Sequence, residues 1–218
     1  MSSALMKRIS AIPWQCLKDW FFPAACTLLL MGCLPFLYRE PLPYASLRAT
    51  PLHFGLHVTP NPESNPINPP ERFSGYHMGA DFEVTQQEVD SEVAVFAICS
   101  GPVLQSGFVE GYGGLVVQRC AIGREPVTVL YGHLTLENLP IKDAELSAGG
   151  RIGVLAPART HDSDDNRKHL HLGIHRGEGI DVRGYVQSEE EIDEFIDPLT
   201  VLPPRGGTTG VLKPYWQE

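Results

Sequence analysis

The stretch His169-Leu170-His171-Leu172 decides the fold, because histidine and leucine alternate along it. Alternation of polar and apolar residues is typical of a β-strand with one buried face. Residues i and i+2 of a strand project from the same face, so His169 and His171 point in one direction. Two imidazoles held side by side on a rigid strand can serve one metal ion and its water. The stretch therefore predicts a metal site on the face of a β-sheet.

Two motifs upstream add side chains of the same chemistry. The first, His77-Met78-Gly79-Ala80-Asp81, offers an imidazole and a carboxylate. The second, Gly132-His133-Leu134, places a histidine at the end of a predicted strand. Together with the histidine pair, they supply a full set of metal ligands and two spare imidazoles.

These residues suit a catalytic zinc site, which commonly has three protein ligands and a fourth position for water. His77, Asp81 and His171 would form a set of two histidines and one carboxylate. Zinc lowers the pKa of its water to about 7, so hydroxide becomes available at neutral pH. His133 and His169 then remain to move protons or to stabilise an oxyanion, and histidine suits that work near neutrality.

The composition bounds the class of protein. The chain has 218 residues, 43% of them hydrophobic, which fits one globular domain with appendages. Its formal net charge is −9. Nucleic acids attract basic surfaces, so this charge argues against a nucleic-acid partner.

The N-terminus predicts export to the cell envelope. Lys7, Arg8 and Lys18 precede an uncharged apolar run, Trp20–Tyr38. As a helix, 19 residues would reach roughly 28 Å, which is enough to cross a hydrocarbon core. The positive-inside rule places residues 1–18 in the cytoplasm as a short tail and the rest of the chain outside.

Three interpretations of residues 19–38 stay open. The first is an uncleaved anchor in the inner membrane. The second is a lipoprotein signal that ends at Leu30-Met31-Gly32-Cys33. The third is a cleaved signal peptide, although no clean small-residue cleavage site follows the apolar run. All three place the domain outside the cytoplasm.

The remaining chain divides by composition into a linker, a domain and a tail. Residues 39–70 contain eight prolines, which favours an extended Pro-rich linker, although Leu52–Val58 is a candidate first strand. Residues 71–203 form the predicted domain and residues 204–218 a C-terminal tail. Short runs rich in β-branched and aromatic residues predict six strands, at Val93–Cys99, Pro102–Phe108, Gly114–Cys120, Val127–Tyr131, Arg151–Leu155 and His169–His175.

One late helix is predicted to begin at Ser188, because Ser188 and Glu191 have the spacing of a capping box. Gly111-Tyr112-Gly113-Gly114 is interpreted as a hairpin turn. The predicted fold is mainly β, an antiparallel sheet or sandwich with one late helix, preceded by an N-terminal membrane helix.

Two cysteines, Cys99 and Cys120, fall in the exported part of the chain. An even number of cysteines outside the cytoplasm is compatible with a disulfide. The alternative is a pair of small buried thiols.

The motifs together resemble the lysostaphin/LytM-type zinc metalloendopeptidases, which cut peptide cross-links in peptidoglycan. The resemblance covers about Pro51 to Leu202 and rests on the order of His77–Asp81, Tyr131–Leu134 and His169–His171. It implies Zn²⁺ on His77, Asp81 and His171. It also implies that His169 is the catalytic base and that His133 stabilises the transition state. One departure is the approach to the histidine pair, residues 156–168, which is longer and more charged than is usual and which we expect to shape the substrate subsites.

The predicted function is therefore an exported zinc endopeptidase that acts on peptidoglycan peptides. An alternative is a non-catalytic module of the same fold that binds the cell wall or activates another hydrolase. Such modules usually lose metal ligands, whereas all five polar positions are retained here. A third alternative is hydrolysis of some other exported peptide, since fold and zinc alone do not choose the substrate.

Overall fold

The computed structural model describes residues 38–202 and 211–217. The predicted cytoplasmic tail and membrane segment lie outside the described residues, apart from Tyr38. Within the described ranges, no helix is long and apolar enough to cross a membrane.

The described residues form a mainly β domain whose paired strands are all antiparallel, as predicted. The main sheet has six strands in the order β3-β10-β7-β6-β5-β8, and smaller sheets join β1-β2-β11 and β4-β9. The strands are β1 (His57–Val58), β2 (Gly75–His77), β3 (Gly79–Glu83), β4 (Ala94–Phe96), β5 (Gly101–Val109), β6 (Gly113–Ile122), β7 (Glu125–Leu134), β8 (Glu145–Leu146), β9 (Arg151–Val154), β10 (His169–Arg176) and β11 (Tyr185–Val186).

Strands β3 and β10 each have one apolar and one polar face. Ala80 and Phe82 of β3, with Leu170 and Leu172 of β10, belong to the main hydrophobic core. The intervening residues point to the other face, because side chains alternate along a strand. This alternation places the histidines and acids of both strands together on the face away from that core.

The segment predicted as a linker packs against the domain, and the prediction is wrong for residues 39–51, whereas the candidate first strand, Leu52–Val58, contains β1. Leu42 and Ala45 lie in the main core. The carbonyl oxygen of Leu52 accepts a hydrogen bond from the backbone N–H of Asp81, and that of Ala49 accepts one from Glu83. A proline-rich extended chain keeps free carbonyl groups, so it can cover the outer edge of β3. Composition alone does not distinguish this edge cover from a free linker.

The C-terminal residues also contact the domain where the structure describes them. Leu212 bridges to Arg48, and the backbone N–H of Tyr215 donates to the carbonyl of Val84. The described part of the predicted tail is therefore packed.

The predicted late helix is a short 3-10 helix, Glu190–Glu194, rather than an α-helix. The backbone N–H groups of Gln187 and Ser188 donate to the Glu191 carboxylate, so part of the predicted cap is present. The turn is followed by a four-residue α-helix, Pro198–Val201, which the Asp197 side chain caps. Three other 3-10 helices span Ala45–Leu47, Gln86–Glu88 and Tyr215–Gln217.

The two cysteines form a disulfide, which was one of the two alternatives. It joins Cys99, just before β5, to Cys120 on β6, with 6.1 Å between the Cα atoms. This separation is usual for disulfides.

Candidate metal centre and cleft

The register of β3 against β10 brings the predicted ligands together. His171 lies directly opposite Asp81, and His169 lies opposite Glu83. Directly opposed side chains of an antiparallel pair are near neighbours. His77, at the end of β2, completes the group, and the whole set is buried.

Three ligand atoms converge on one point. His171 Nδ1 lies 2.9 Å from Asp81 Oδ1 and 3.0 Å from His77 Nε2. The third separation, between His77 Nε2 and Asp81 Oδ1, is 3.2 Å. In a tetrahedral zinc site with bonds of about 2.0–2.1 Å, neighbouring ligand atoms would be about 3.3–3.4 Å apart. The two nitrogens and one oxygen therefore fit a zinc ion with little movement.

A glycine makes room for this arrangement. A Cβ atom on Gly79 would lie 2.6 Å from His171 Cε1 and 2.6 Å from the carbonyl oxygen of Leu172. Real Cβ atoms do not approach other atoms so closely. The glycine between His77 and Asp81 is therefore needed for the His171 ring to pack against β3.

The main chain also supports a candidate ligand. His77 Nδ1 lies 3.4 Å from the carbonyl oxygen of His53. A carbonyl oxygen only accepts hydrogen bonds, so Nδ1 carries the proton and Nε2 is left free for a metal. His53 thus contributes through its backbone, since its side chain is exposed.

The contacts of both ring nitrogens fix the orientation of His169. Its Nδ1 lies 3.0 Å from the Arg167 carbonyl oxygen, so neutral His169 carries its proton there. Its Nε2 lies 3.1 Å from Asp81 Oδ2. This Nε2 is therefore beside the predicted metal ligands, where it donates to Asp81 when the ring is protonated and is free when the ring is neutral.

His133 occupies a β-bulge. Gly114 pairs with Leu134 and Leu115 pairs with Gly132, so His133 is the extra residue on β7. Its φ is 63°, a left-handed conformation that is uncommon outside glycine. Bulges of this kind re-aim side chains beside active sites. The ring centroid of His133 lies 4.3 Å from that of His169.

Burial sets the protonation of the site. Burial, with the nearby His169 imidazole, holds the pKa of His133 well below its ordinary value, so His133 is neutral at pH 7. Burial opposes ionisation of Asp81, but His169 and His77 outweigh it and hold the pKa of Asp81 well below its usual range. The carboxylate is therefore ionised, as a metal ligand must be.

The group opens onto a cleft of about 310 Å³. Asp81, His133, His169 and His171 line it, together with Tyr112 from the predicted hairpin turn. Tyr112 is buried, and neither its Oη nor His133 Nδ1 has a hydrogen-bond partner among the described residues. Burial raises the pKa of Tyr112 far above its usual range, so the phenol remains a donor. The cleft thus presents polar atoms ready for a ligand.

A buried ion cluster beside the site was not predicted from the sequence. Arg167 Nη2 donates to Asp81 Oδ2 at 2.7 Å and to Glu83 Oε1 at 2.8 Å. Its Nη1 donates to Glu71 Oε2 at 3.2 Å. All four side chains are buried. The alternation of side chains along a strand could have identified two of these four residues. Glu83 lies two residues after Asp81, and Arg167 lies two residues before His169.

The charged loop before the histidine pair turns partly inward. Arg167 and Lys168 are buried, and Lys168 Nζ donates to the carbonyl groups of Glu88, Val89 and Ser91. Asn166 lines the cleft, as expected of a loop that shapes subsites. Part of the charge in residues 156–168 therefore serves internal packing, which the charge pattern alone did not indicate.

Two other histidines, His161 and His175, lie outside this group. His161 is exposed, whereas His175 is half-buried and its Nε2 lies 3.7 Å from Asp181 Oδ2. Neither lines the cleft described above.

Comparisons with known proteins give a likeness of fold. No protein-family model matches the chain, and no curated protein matches it. Among solved structures, Helicobacter pylori Csd3 is similar over 78% of this chain and 36% of Csd3, at 18% identity and a TM-score of 0.46. The chain thus spans about a third of the length of Csd3.

Two structures of lysostaphin are also similar. The catalytic domain of the Staphylococcus simulans protein matches over 67% of this chain and 88% of that domain, at 22% identity and a TM-score of 0.42. The solution structure of lysostaphin matches over 80% of this chain and 59% of that chain, at 19% identity and a TM-score of 0.48. At such identities, the chemistry of this chain must be inferred from its own residues.

Proposed function

We propose that the protein is a zinc-dependent endopeptidase that hydrolyses peptide cross-links of bacterial peptidoglycan outside the cytoplasm. The observation that carries this proposal is the convergence of His77 Nε2, Asp81 Oδ1 and His171 Nδ1 within 3.2 Å of one another, beside a cleft. The substrate class comes from the resemblance of the sequence motifs to lysostaphin/LytM-type enzymes.

The charge of the site supports a divalent cation. Asp81, Glu83 and Glu71 present three carboxylates to the single guanidinium of Arg167. Burial raises the pKa of Glu83, and a cation beside the cluster would favour its ionised form. When all three carboxylates are ionised, this buried cluster has a net charge of −2. Buried charges are costly unless they are paired, and a cation of charge +2 compensates these. A zinc ion held there would polarise the scissile carbonyl and activate a water molecule.

His169 is proposed as the general base. Neutral His169 keeps its Nδ1 proton on the Arg167 carbonyl and offers Nε2 to the attacking water. Once Nε2 is protonated, it can donate to Asp81 Oδ2, which lies 3.1 Å away. The same proton can then pass to the leaving amine. A base held in this way commonly contributes about 10²–10⁴-fold to the rate.

His133 is proposed to stabilise the oxyanion that forms at the scissile carbonyl. Its low pKa keeps the ring neutral, so one nitrogen donates a hydrogen bond while the other does not. A neutral imidazole in a water-poor cleft is an effective donor to developing negative charge. A well-placed donor of this kind is often worth about 3–4 kcal/mol.

Location outside the cytoplasm is proposed from two features. Disulfides persist mainly in oxidising compartments, and Cys99 is bonded to Cys120. The basic and apolar N-terminal segment supplies the export signal, as an inner-membrane anchor or, alternatively, as a lipoprotein signal at Cys33 or a cleaved signal peptide. The accessibility of the domain to added protease in spheroplasts tests this location. Protection of the domain from the protease would contradict export.

The test of the activity joins metal analysis to digestion of purified muropeptides by the full-length protein. We expect the wild type to contain zinc and to cleave. Asp81→Ala should lose zinc, and His169→Ala should keep zinc but lose about 10²–10⁴-fold in rate. His161→Ala is the matched control, since His161 is exposed and outside the cleft, and it should behave as the wild type.

Two results would overturn parts of this proposal. Full cleavage by Asp81→Ala would refute the ligand assignment. Zinc in the wild type without cleavage of any muropeptide would favour the alternative function, a module that binds the wall or activates another hydrolase.

A further inference from the structure

We propose that Arg167 is a positioning residue that determines which oxygen of Asp81 is offered to the metal. This inference rests on the proposed function and concerns the buried ion cluster, which no motif predicted. Asp81 Oδ1 lies with the candidate ligand atoms, 2.9 Å from His171 Nδ1. Asp81 Oδ2 is occupied by Arg167 Nη2 at 2.7 Å and faces His169 Nε2 at 3.1 Å. Oδ1 is therefore available to a metal, whereas Oδ2 binds Arg167 and faces His169.

Arg167 is itself held in place by acids that do not join the ligand set. Its Nε lies 3.1 Å from Glu83 Oε1 and 3.3 Å from Oε2, and its Nη2 lies 2.8 Å from Oε1. Its Nη1 donates to Glu71 Oε2 at 3.2 Å. The guanidinium is 4% exposed, so water does not compete for these bonds. A planar fork anchored at several nitrogens cannot swing away from Asp81.

This arrangement favours a carboxylate that binds through one oxygen. A free carboxylate can give a metal one oxygen or two, and a second oxygen would take up a coordination position. The charge-assisted bond from Arg167 would have to break before Oδ2 could turn to the metal. Arg167 thereby keeps the coordination number low and leaves a position for water.

Arg167 also orients the proposed base. Its carbonyl oxygen accepts from His169 Nδ1, while its side chain binds the Asp81 oxygen that faces His169 Nε2. One residue thus contacts both the proposed ligand and the proposed base. An ion cluster that only stabilised the fold would not need Arg167 to bind a single oxygen of Asp81. It would not need the contact with His169 either.

The experiment uses cobalt(II) in place of zinc in the full-length protein, because the visible absorption of cobalt reports coordination number. The variants are Arg167→Lys, which keeps the charge but removes the fork, and Glu83→Gln, which loosens Arg167 without touching Asp81. The control is Arg48→Lys, since Arg48 is an equally buried arginine outside the cleft. Circular dichroism shows whether each variant folds.

The wild type should give the strong visible absorption of four-coordinate cobalt. Arg167→Lys should give the weaker absorption of five-coordinate cobalt, because Asp81 is then free to bind through both oxygens. Its affinity for zinc, measured by competition with a chelator, should fall about 10–100-fold. Glu83→Gln should also weaken the cobalt absorption and lower the zinc affinity, but by smaller amounts. Arg48→Lys should match the wild type in both measurements.

Several results would overturn the inference. One is a folded Arg167→Lys protein with the wild-type cobalt spectrum and zinc affinity. If Arg167→Lys does not fold, an unchanged spectrum in Glu83→Gln has the same meaning. A wild type that takes up no cobalt or zinc would instead refute the proposed function, so the two failures are distinguishable.

Discussion

Two buried arginines of this domain, Arg48 and Arg167, meet the same residue in different ways. Arg48 Nη1 donates to the main-chain oxygen of Glu83, whereas Arg167 binds its carboxylate. Arg48 forms a two-bond pair with one acid, Glu88, whose side chain is 24% exposed. Arg167 faces three acids, and all of them are buried.

The difference separates a structural pair from a candidate site. One positive charge against one partly hydrated negative charge is balanced without any further ion. One positive charge does not balance three buried carboxylates when all three are ionised, a state that burial opposes by raising the pKa of Glu83. An excess of buried carboxylates over cationic groups therefore favours a cation site, whereas a buried ion pair alone does not.

The largest expected effect is on the stability of the chelated protein. Arg167→Met should lower the free energy of unfolding by about 3–5 kcal/mol, because it removes the one guanidinium that faces the buried carboxylates of Asp81, Glu83 and Glu71. Arg48→Met should cost less, about 1–3 kcal/mol, because water can reach Glu88. Urea unfolding measures both values. Equal losses in the two variants would contradict the distinction between the arginines.

The second largest effect is on stabilisation by zinc, which should differ between variants of the two arginines. Zinc at about 100 times its dissociation constant should stabilise the wild type by about 2.7 kcal/mol. Arg48→Lys should gain as much as the wild type at the same zinc concentration, and Arg167→Lys should gain less. Thermal unfolding with and without zinc gives the comparison. A full gain in Arg167→Lys would count against the role of the charge cluster.

A glycine beside the charge cluster should be less replaceable than a glycine away from it. Gly79→Ala should cost about 1–3 kcal/mol of stability and weaken zinc binding, because the new Cβ collides with the His171 ring and the Leu172 carbonyl. Gly153→Ala is the control, since its Cβ would meet only Leu139 Cδ2 at 3.4 Å. Unfolding and chelator competition measure both effects, and equal zinc affinities would show that the space beside His171 is not needed.

The smallest effect concerns the pH dependence of the Arg48 pair. Burial raises the pKa of Glu88, but hydrogen bonds from Arg48 and Thr85 outweigh it and hold the pKa below the ordinary value of 4.5. A lowered pKa in the folded state means that the ionised pair stabilises the fold above about pH 4.5. That contribution is lost as the pH falls through the folded pKa.

Glu88→Gln should therefore destabilise the protein by less than about 1 kcal/mol at pH 7, because Glu88 is partly exposed. The difference in the free energy of unfolding between Glu88→Gln and the wild type should shrink as the pH falls below about 4.5. Unfolding curves from pH 3 to 7 test the sign. A difference that grows at low pH would contradict it.

Much of the sheet was predictable because its strands carry local signals. Val-rich runs and the glycines at 111, 113 and 114 predict β5, β6, β7 and the turn between the first two. The candidate ligands were predictable for a similar reason, since each motif combines a metal-binding side chain with a strand pattern. The structure brings His77, Asp81 and His171 together, while their role as ligands stays a prediction.

The remaining features depend on contacts between distant parts of the chain. Arg167 is 84 residues from Glu83 and 96 from Glu71, and alternation along a strand can place its side chain on a face but cannot identify partners so distant in sequence. Residues 39–51 look like a linker because proline density reports local stiffness and not what the chain packs against. The backbone N–H groups of Gln187 and Ser188 bind the predicted capping acid, Glu191, but Glu190–Glu194 forms a 3-10 helix and not an α-helix.

The bulge at His133 has a consequence for any mutational scan of this chain. Since the residue sits at φ 63°, a replacement there alters backbone energy as well as removing an imidazole. Asparagine tolerates left-handed geometry, whereas a β-branched side chain such as valine does not. A scan that ranks position 133 by lost activity would mix a conformational penalty with a chemical one, and His133→Asn keeps the penalty small while it replaces the imidazole by an amide donor.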